Sequence, residues 1–212
     1  MNIIFDYDGT LHDTAYIYCR GFQKAYDYLA LRGYAQPKKL EESKITGYLG
    51  VTPVDAWKSE VPEIDEKALN KAVKITGDEM ARLVRLGKSK LYDNVTTTLE
   101  FLKEKDHRLI ILSNCTSEYR KLHMESFQLD RYFDEFYAAE SFGYIPKHEI
   151  FNTIRSDFPG NYAVVGDRYA DLEVAFKHNL LSIGCLYGFP EKGELDDANY
   201  VITDISELIK IL

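Results

Sequence analysis

NIIFDYDGTL (residues 2–11) passes in one step from an apolar run, Ile3-Ile4-Phe5, to a pair of aspartates, Asp6 and Asp8. A short run of apolar residues without polar alternation reads as a strand covered on both faces, as in a parallel sheet. Three more runs end in the same abrupt way. RLIIL (108–112) leads into Ser113-Asn114, YAVV (162–165) into Gly166-Asp167, and LLSIGCL (180–186) into a loop with Gly188 and Pro190.

Helical spacing fills the intervals. Tyr18, Phe22, Ala25 and Leu29 recur at three to four residues within 14–32, and Val95, Leu99 and Leu102 do so within 94–105. Residues 117–127, 147–156, 169–179 and 204–212 are further predicted helices. Strand alternating with helix predicts an α/β fold with a parallel sheet. In such sheets ligands bind outside the carboxyl ends of the strands. Asp6, Asp8, Ser113, Asn114 and Asp167 all fall at those ends, so the pattern gathers them into one candidate site.

The alternation lapses between residues 15 and 88, where no strand is predicted. Residues 65–86 place Leu69, Val73, Met80 and Val84 on one helical stripe, and shorter helical pieces cover 37–46 and 52–60, with Gly47, Gly50 and Pro53 as breakers. The predicted division is an α/β core of residues 1–14 and 89–212 and a small α-helical domain, 15–88, inserted after the first strand.

Composition narrows the function. The chain has 212 residues, 45% of them hydrophobic, and a net charge of −8. That balance argues against a nucleic-acid partner, whose phosphate backbone requires a basic face. No uninterrupted apolar run exceeds five residues, so no membrane span is expected, and Asp6 interrupts the apolar stretch in which the core of a secretory signal would form. Three widely spaced cysteines, Cys19, Cys115 and Cys185, suit a reducing cytoplasm.

Two readings compete for the aspartate pair. Asp8-Gly9 is ordinary turn chemistry, and Asp13 is placed to cap the next helix. Asp6, however, adjoins the strand and has no turn to make. Neighbouring carboxylates at a crevice repel, which implies a raised pKa or a bound cation, and hard oxygen ligands favour Mg²⁺. Similar alternatives exist elsewhere: Ser113-Asn114 as a helix cap, Lys147 as a solvated lysine, Asp167 and Asp171 as N-cap and first-turn acid.

DYDGT (6–10) resembles the DxDGT signature of the haloacid dehalogenase superfamily. Ser113 resembles its second motif, Lys147 in GYIPKHEIF its third, and GDRYAD (166–171) its fourth, with the helical insertion placed where a type-1 cap belongs. The tail LYGFPEKGEL (186–195) is similar to that of phosphoglycolate phosphatase-like members. The resemblance implies a Rossmann-like three-layer core and a Mg²⁺-dependent phosphomonoester hydrolase acting on a small phosphorylated metabolite. It implies Asp6 as nucleophile, forming an aspartyl-phosphate, and Asp8 as general acid and base. Mg²⁺ would be held by Asp6, the Asp8 carbonyl and Asp167, with Asp171 in support. Ser113 and Lys147 would contact the phosphoryl group, and backbone N–H groups around Asp8, Gly9 and Asn114 would complete its cradle.

Some positions depart from the family pattern. Pro146 precedes Lys147 and His148 follows it, which leaves Lys121 as a fallback for the third motif. His12 stands where the family usually has an aliphatic residue; partly exposed packing and substrate contact are its two readings. Cys115 reads as a small packing residue. In the insertion, ITGYLG (45–50) resembles the specificity loop of helical caps, making Gly47 and Tyr48 expected substrate contacts, with ordinary packing as the alternative for Tyr48. Two rival functions remain at this point. One is a phosphomutase of the β-phosphoglucomutase type; the other is a non-catalytic phosphate-binding protein on the same fold. Oligomeric state is open.

Overall fold

Six strands build one sheet in which every neighbouring pair is parallel: β1 (Asn2–Phe5), β2 (Arg108–Ser113), β3 (Glu135–Ala138), β4 (Tyr162–Gly166), β5 (Leu181–Cys185) and β6 (Tyr200–Ile202), in the order β3-β2-β1-β4-β5-β6. The computed structural model describes residues 1–212. The chain divides into two compact units, Met1–Asp13 with Leu91–Leu212, and Thr14–Lys90. The unit containing the sheet also holds α5 (Val95–Glu104), α6 (Ser117–Phe127), α7 (Lys147–Ile154), α8 (Tyr169–His178) and α9 (Leu208–Ile211), and the other is made of α1 (Ala15–Leu31), α2 (Glu42–Thr46), α3 (Pro53–Glu60) and α4 (Glu66–Arg85).

The central strand shows why the unbroken apolar runs form the middle of the sheet. Successive side chains point to opposite faces. Ile3 and Phe5 pack with Val95, Leu99, Leu102 and Ile111 on one side, while Ile4 packs with Ile110, Ile150, Phe151 and Val174 on the other. Helices thus cover both faces, giving the three-layer α/β arrangement. The chain leaves β1 for β2 on one side and reaches β4 on the other. The resulting switch point opens a crevice at the carboxyl end of β1.

Two strands escape the sequence reading, β3 and β6. Both are sheet edges of only three or four residues, and their apolar stretches, Phe136-Tyr137-Ala138 and Tyr200-Val201-Ile202, are too short to be told from a helix or turn by pattern. The C-terminal helix is also shorter than expected, since Ile205–Glu207 form a 3-10 turn before α9.

Within the helical unit, α1 packs along α4, and Phe22 stacks on Trp57 with ring centroids 3.9 Å apart and planes 3° from parallel. The buried face of α4 is Leu69, Ala72, Thr76, Glu79, Leu83 and Val84, so Val73 and Met80 flank the expected stripe instead of lying on it. Small residues explain the rotation: a Cβ on Gly21 would lie 2.7 Å from the Thr76 carbonyl oxygen, so α1 approaches α4 where side chains are short. The predicted helix over 37–46 shrinks to Glu42–Thr46. Side chains of α1 take up the backbone groups before it: Leu40 N donates to Gln23 Oε1 at 2.8 Å, Gln23 Nε2 donates to Lys38 O at 3.1 Å, and Tyr26 Oη donates to Gln36 O at 2.9 Å. No helix of the protein is long and apolar enough to cross a membrane.

Candidate active site

Asp6 follows β1 directly, and its backbone N–H donates to Val165 O at 2.9 Å, which anchors it between β1 and β4. Asp167 follows β4, and Asp171 lies in the first turn of α8. Carboxylate oxygens of Asp6, Asp167 and Asp171 lie within 4.8 Å of one another, and all three residues are buried. Lys147 opens α7 and is itself buried; its Nζ donates to Asp6 Oδ1 at 2.5 Å and to Asp171 Oδ1 at 2.6 Å.

The electrostatics follow from burial. Desolvation, then the neighbouring Asp171, hold the Asp6 carboxyl well above the usual carboxylate range, against the pull of Lys147. The same two causes push Asp167 up to about 7. Burial works against the charge on Lys147, but Asp171 and Asp6 outweigh it and raise the ammonium pKa. One ammonium among three carboxylates leaves a deficit of positive charge. Clustered oxygens with that deficit are a donor set into which a hard divalent cation such as Mg²⁺ fits.

The carboxylates are held individually. Asp171 Oδ2 accepts from the Arg168 backbone N–H at 3.0 Å, so it serves the start of α8 and the cluster together. The reading of Asp171 as an exposed first-turn acid is thereby corrected, and the N-cap of α8 is Arg168, not Asp167. Asp167 Oδ1 accepts from Thr10 Oγ1 at 3.3 Å, and its Oδ2 accepts from Phe189 N at 2.8 Å. Gly9, at φ +91°, passes so close that a Cβ there would fall 2.3 Å from Asp167 Oδ2.

Asp8 stands apart from this cluster, its side chain 25% exposed. Tyr119 Oη donates to Asp8 Oδ1 at 2.7 Å, and His12 Nδ1 lies 2.9 Å from the same oxygen. His12 is 0% exposed, which corrects the expectation of partly exposed packing: the turn over residues 7–12, closed by Leu11 N and His12 N on Tyr7 O, folds the imidazole inward.

The remaining candidates fall as follows. Ser113 ends β2 and is buried; Asn114 follows it and is exposed. Cys115 is buried and its thiol is pushed up to about 12, chiefly by burial, which suits packing and not nucleophilic attack. Lys121 is exposed on α6, whereas Lys147 reaches Asp6. Asp13 does not cap α1; Thr14 holds that position, with no side-chain cap bond. Gly47 and Tyr48 belong to the helical unit. Gly47 caps α2, and Tyr48 stacks on Phe22 while its hydroxyl donates to Glu60 Oε2 at 3.0 Å.

The sequence reading missed the residues that brace the site. Tyr187 Oη donates to Thr10 O at 2.8 Å, and Arg168 pairs with Glu194 at 2.7 Å and Glu191 at 3.2 Å, which straps residues 187–194 across Asp167. Tyr119 was equally silent. The four-residue spacing of Asp8 and His12 was the one local signal for the second group.

Residues 3–185 match the family described as haloacid dehalogenase-like hydrolase. The chain belongs to this family. Among its relatives is a phosphoglycolate phosphatase of Aquifex aeolicus, 26% identical, with 99% of this chain and 95% of the relative covered. A 5'-nucleotidase of Pseudomonas aeruginosa is also 26% identical, over 100% of this chain and 95% of its own. The solved structure of a haloacid dehalogenase-like family hydrolase from Streptococcus pneumoniae superposes with a TM-score of 0.80 at 19% identity, covering 99% of this chain and 97% of that one, and so shares the fold. As a haloacid dehalogenase-like hydrolase, the protein carries its buried carboxylate cluster at the crevice where this sheet topology places ligands.

Proposed function

We propose that this hydrolase is a Mg²⁺-dependent phosphatase that cleaves a small phosphate monoester through an aspartyl-phosphate on Asp6. The observation that carries the reading is the division between two aspartates two residues apart. Asp6 lies against Lys147 among buried carboxylates, while Asp8 is held outside that cluster by His12 and Tyr119. A nucleophile and a proton carrier need such different surroundings. The phosphoglycolate phosphatase and 5'-nucleotidase names of two relatives support a phosphate ester as substrate.

In the first step an Asp6 oxygen bonds to phosphorus as the bond from phosphorus to the leaving oxygen breaks. The electron pair goes to that oxygen, and Asp8 gives it a proton. In the second step water bonds to phosphorus, Asp8 takes its proton, and the bond to Asp6 breaks to release inorganic phosphate. Lys147 neutralises charge on Asp6 and the phosphoryl oxygens, Ser113 donates to one of them, and N–H groups at Gly9 and Asn114 serve the others. Asp6, Asp167 and the Asp8 carbonyl would hold Mg²⁺, with Asp171 beside them. When bound, the ion supplies the positive charge that lets two anions meet. The raised pKa of Asp6 in the protein alone is the reason to expect that dependence.

The choice of leaving group is assigned to the helical unit, Thr14–Lys90, with Gly47 and Tyr48 as the residues to test. A cytoplasmic location belongs to the same proposal, supported by three buried free thiols.

The test is phosphate release from 2-phosphoglycolate, nucleoside 5'-monophosphates and sugar phosphates, with Mg²⁺ and with chelator. Release from at least one ester, lost in chelator and lost by at least about a thousandfold in Asp6→Asn, is expected. Isomerised sugar phosphate without free phosphate would make the protein a mutase instead, and no turnover of any ester would leave a binding protein.

A further inference from the structure

Asp8 Oδ1 receives two hydrogen-bonding groups from different parts of the chain. His12 Nδ1 reaches it from the turn after β1 at 2.9 Å, and Tyr119 Oη reaches it from α6 at 2.7 Å. His12 Nδ1 and Tyr119 Oη are 3.4 Å apart, so both converge on that oxygen.

Neither group is free to turn away. His12 is wholly buried and lies parallel to Tyr7, with centroids 5.3 Å apart and planes 8° from parallel. Tyr119 stacks on His123 at 3.9 Å, and His123 Nδ1 is in turn hydrogen-bonded to Tyr7 Oη at 2.9 Å. The ring of Tyr7, the residue between the two aspartates, thus braces both groups that hold the second aspartate. Two braced groups on Oδ1 limit how far the Asp8 carboxyl can turn.

We infer that His12 and Tyr119 are positioning residues for proton transfer, fixing the Asp8 carboxyl so that it delivers its proton to the leaving oxygen. The inference rests on the proposed reading of Asp8 as general acid and base. In that role, His12 Nδ1 carries a hydrogen and donates it to Asp8 Oδ1, as Tyr119 Oη does. As the bond between phosphorus and the leaving oxygen breaks, the electron pair on that oxygen takes the proton from the Asp8 carboxyl, which is left as carboxylate. In the hydrolytic half, the attacking water returns a proton to the Asp8 carboxylate. Geometry must be right before pKa matters in such transfers, and misplacement of about 1 Å is costly.

A positioning role makes a distinction that a packing role does not. Proton donation matters for an alkoxide leaving group and hardly at all for 4-nitrophenolate, which leaves unaided. The experiment compares kcat/KM, which reports the first half-reaction, for an alkyl phosphate and for 4-nitrophenyl phosphate in Tyr119→Phe and His12→Leu. Both variants are expected to lose about 10- to 100-fold on the alkyl ester and less than about threefold on the aryl ester. Equal losses on both esters, or none on the alkyl ester, overturn the inference. Tyr119→Phe keeps the ring that packs on His123, and a second measurement needs no variant: the imidazole ¹⁵N spectrum of the wild-type protein is expected to show His12 protonated at Nδ1. A bare Nδ1 overturns the inference as well. If wild-type protein hydrolyses neither ester, the phosphatase reading falls, and the imidazole spectrum still decides whether His12 donates to Asp8.

Discussion

Lys147 Nζ lies 2.5 Å from Asp6 Oδ1, a contact between residues 141 positions apart that closes the buried charge cluster. The same ammonium is shared with Asp171 at 2.6 Å, so one cation faces more than one anion. Removing one partner of a buried pair strands the other, and that consequence can be measured.

Lys147→Met should therefore cost about 3 kcal/mol of stability at neutral pH in the absence of divalent ions. The cost should shrink toward pH 5, because an unpaired buried carboxyl can then escape its charge by binding a proton. Urea unfolding at the two pH values measures both. A loss that is equal at both would show that charge is not its origin.

Gly9→Ala tests the close approach to Asp167. The substitution would place a Cβ 2.3 Å from Asp167 Oδ2 at a backbone φ of +91°, so that carboxylate must move. Wild-type protein should gain about 2.7 kcal/mol from Mg²⁺ at a hundredfold excess over its Kd, and the variant less than about 1 kcal/mol under the same conditions. Thermal unfolding with and without the ion is the readout. Equal gains would place the ion away from Asp167.

His123 makes acid a specific threat. Burial first, then His12, push its pKa down from 6.5 to about 3, so the folded state keeps it neutral while the unfolded chain takes up a proton below about 6.5. Its stability contribution is therefore complete above that pH and is lost as pH falls toward 3, at up to about 1.4 kcal/mol per pH unit. Denaturant titrations between pH 7 and 4 should show this slope. His123→Gln should flatten it, at the cost of the Tyr7 contact.

Phe22→Ala should destabilise the helical unit by about 3–5 kcal/mol, since the ring is 0% exposed and stacked on Trp57. Trp57 is the only tryptophan, so its fluorescence reports that unit directly. The expected result is a lower unfolding midpoint in fluorescence than in the wild type, and an unchanged midpoint would count against the stacked pair as the centre of this core.

Much of this architecture is legible in the sequence. Strands buried on both faces must be apolar throughout, so β1, β2, β4 and β5 are visible as short runs, and the polar residues that end them mark the crevice. Helices carry their own period. Local pattern alone therefore places Asp6, Asp8, Ser113 and Asp167 at the strand ends, whereas Lys147 and Asp171 stand out only through their motifs.

The edge strands β3 and β6 are not legible, because three consecutive apolar residues do not by themselves distinguish a strand from a helix or turn. Nor is the burial of Asp171, which depends on a lysine 24 residues away, or the grip of Tyr119 on Asp8 across 111 residues, or the strap from Phe189 to Asp167. Local sequence determines which residues alternate, cap and turn, because those preferences act over a few positions of backbone. Which carboxylate shares a cation and which shares a hydrogen bond was decided only when the sheet brought distant loops to one end, since charge and hydrogen bonding act through space and not along the chain.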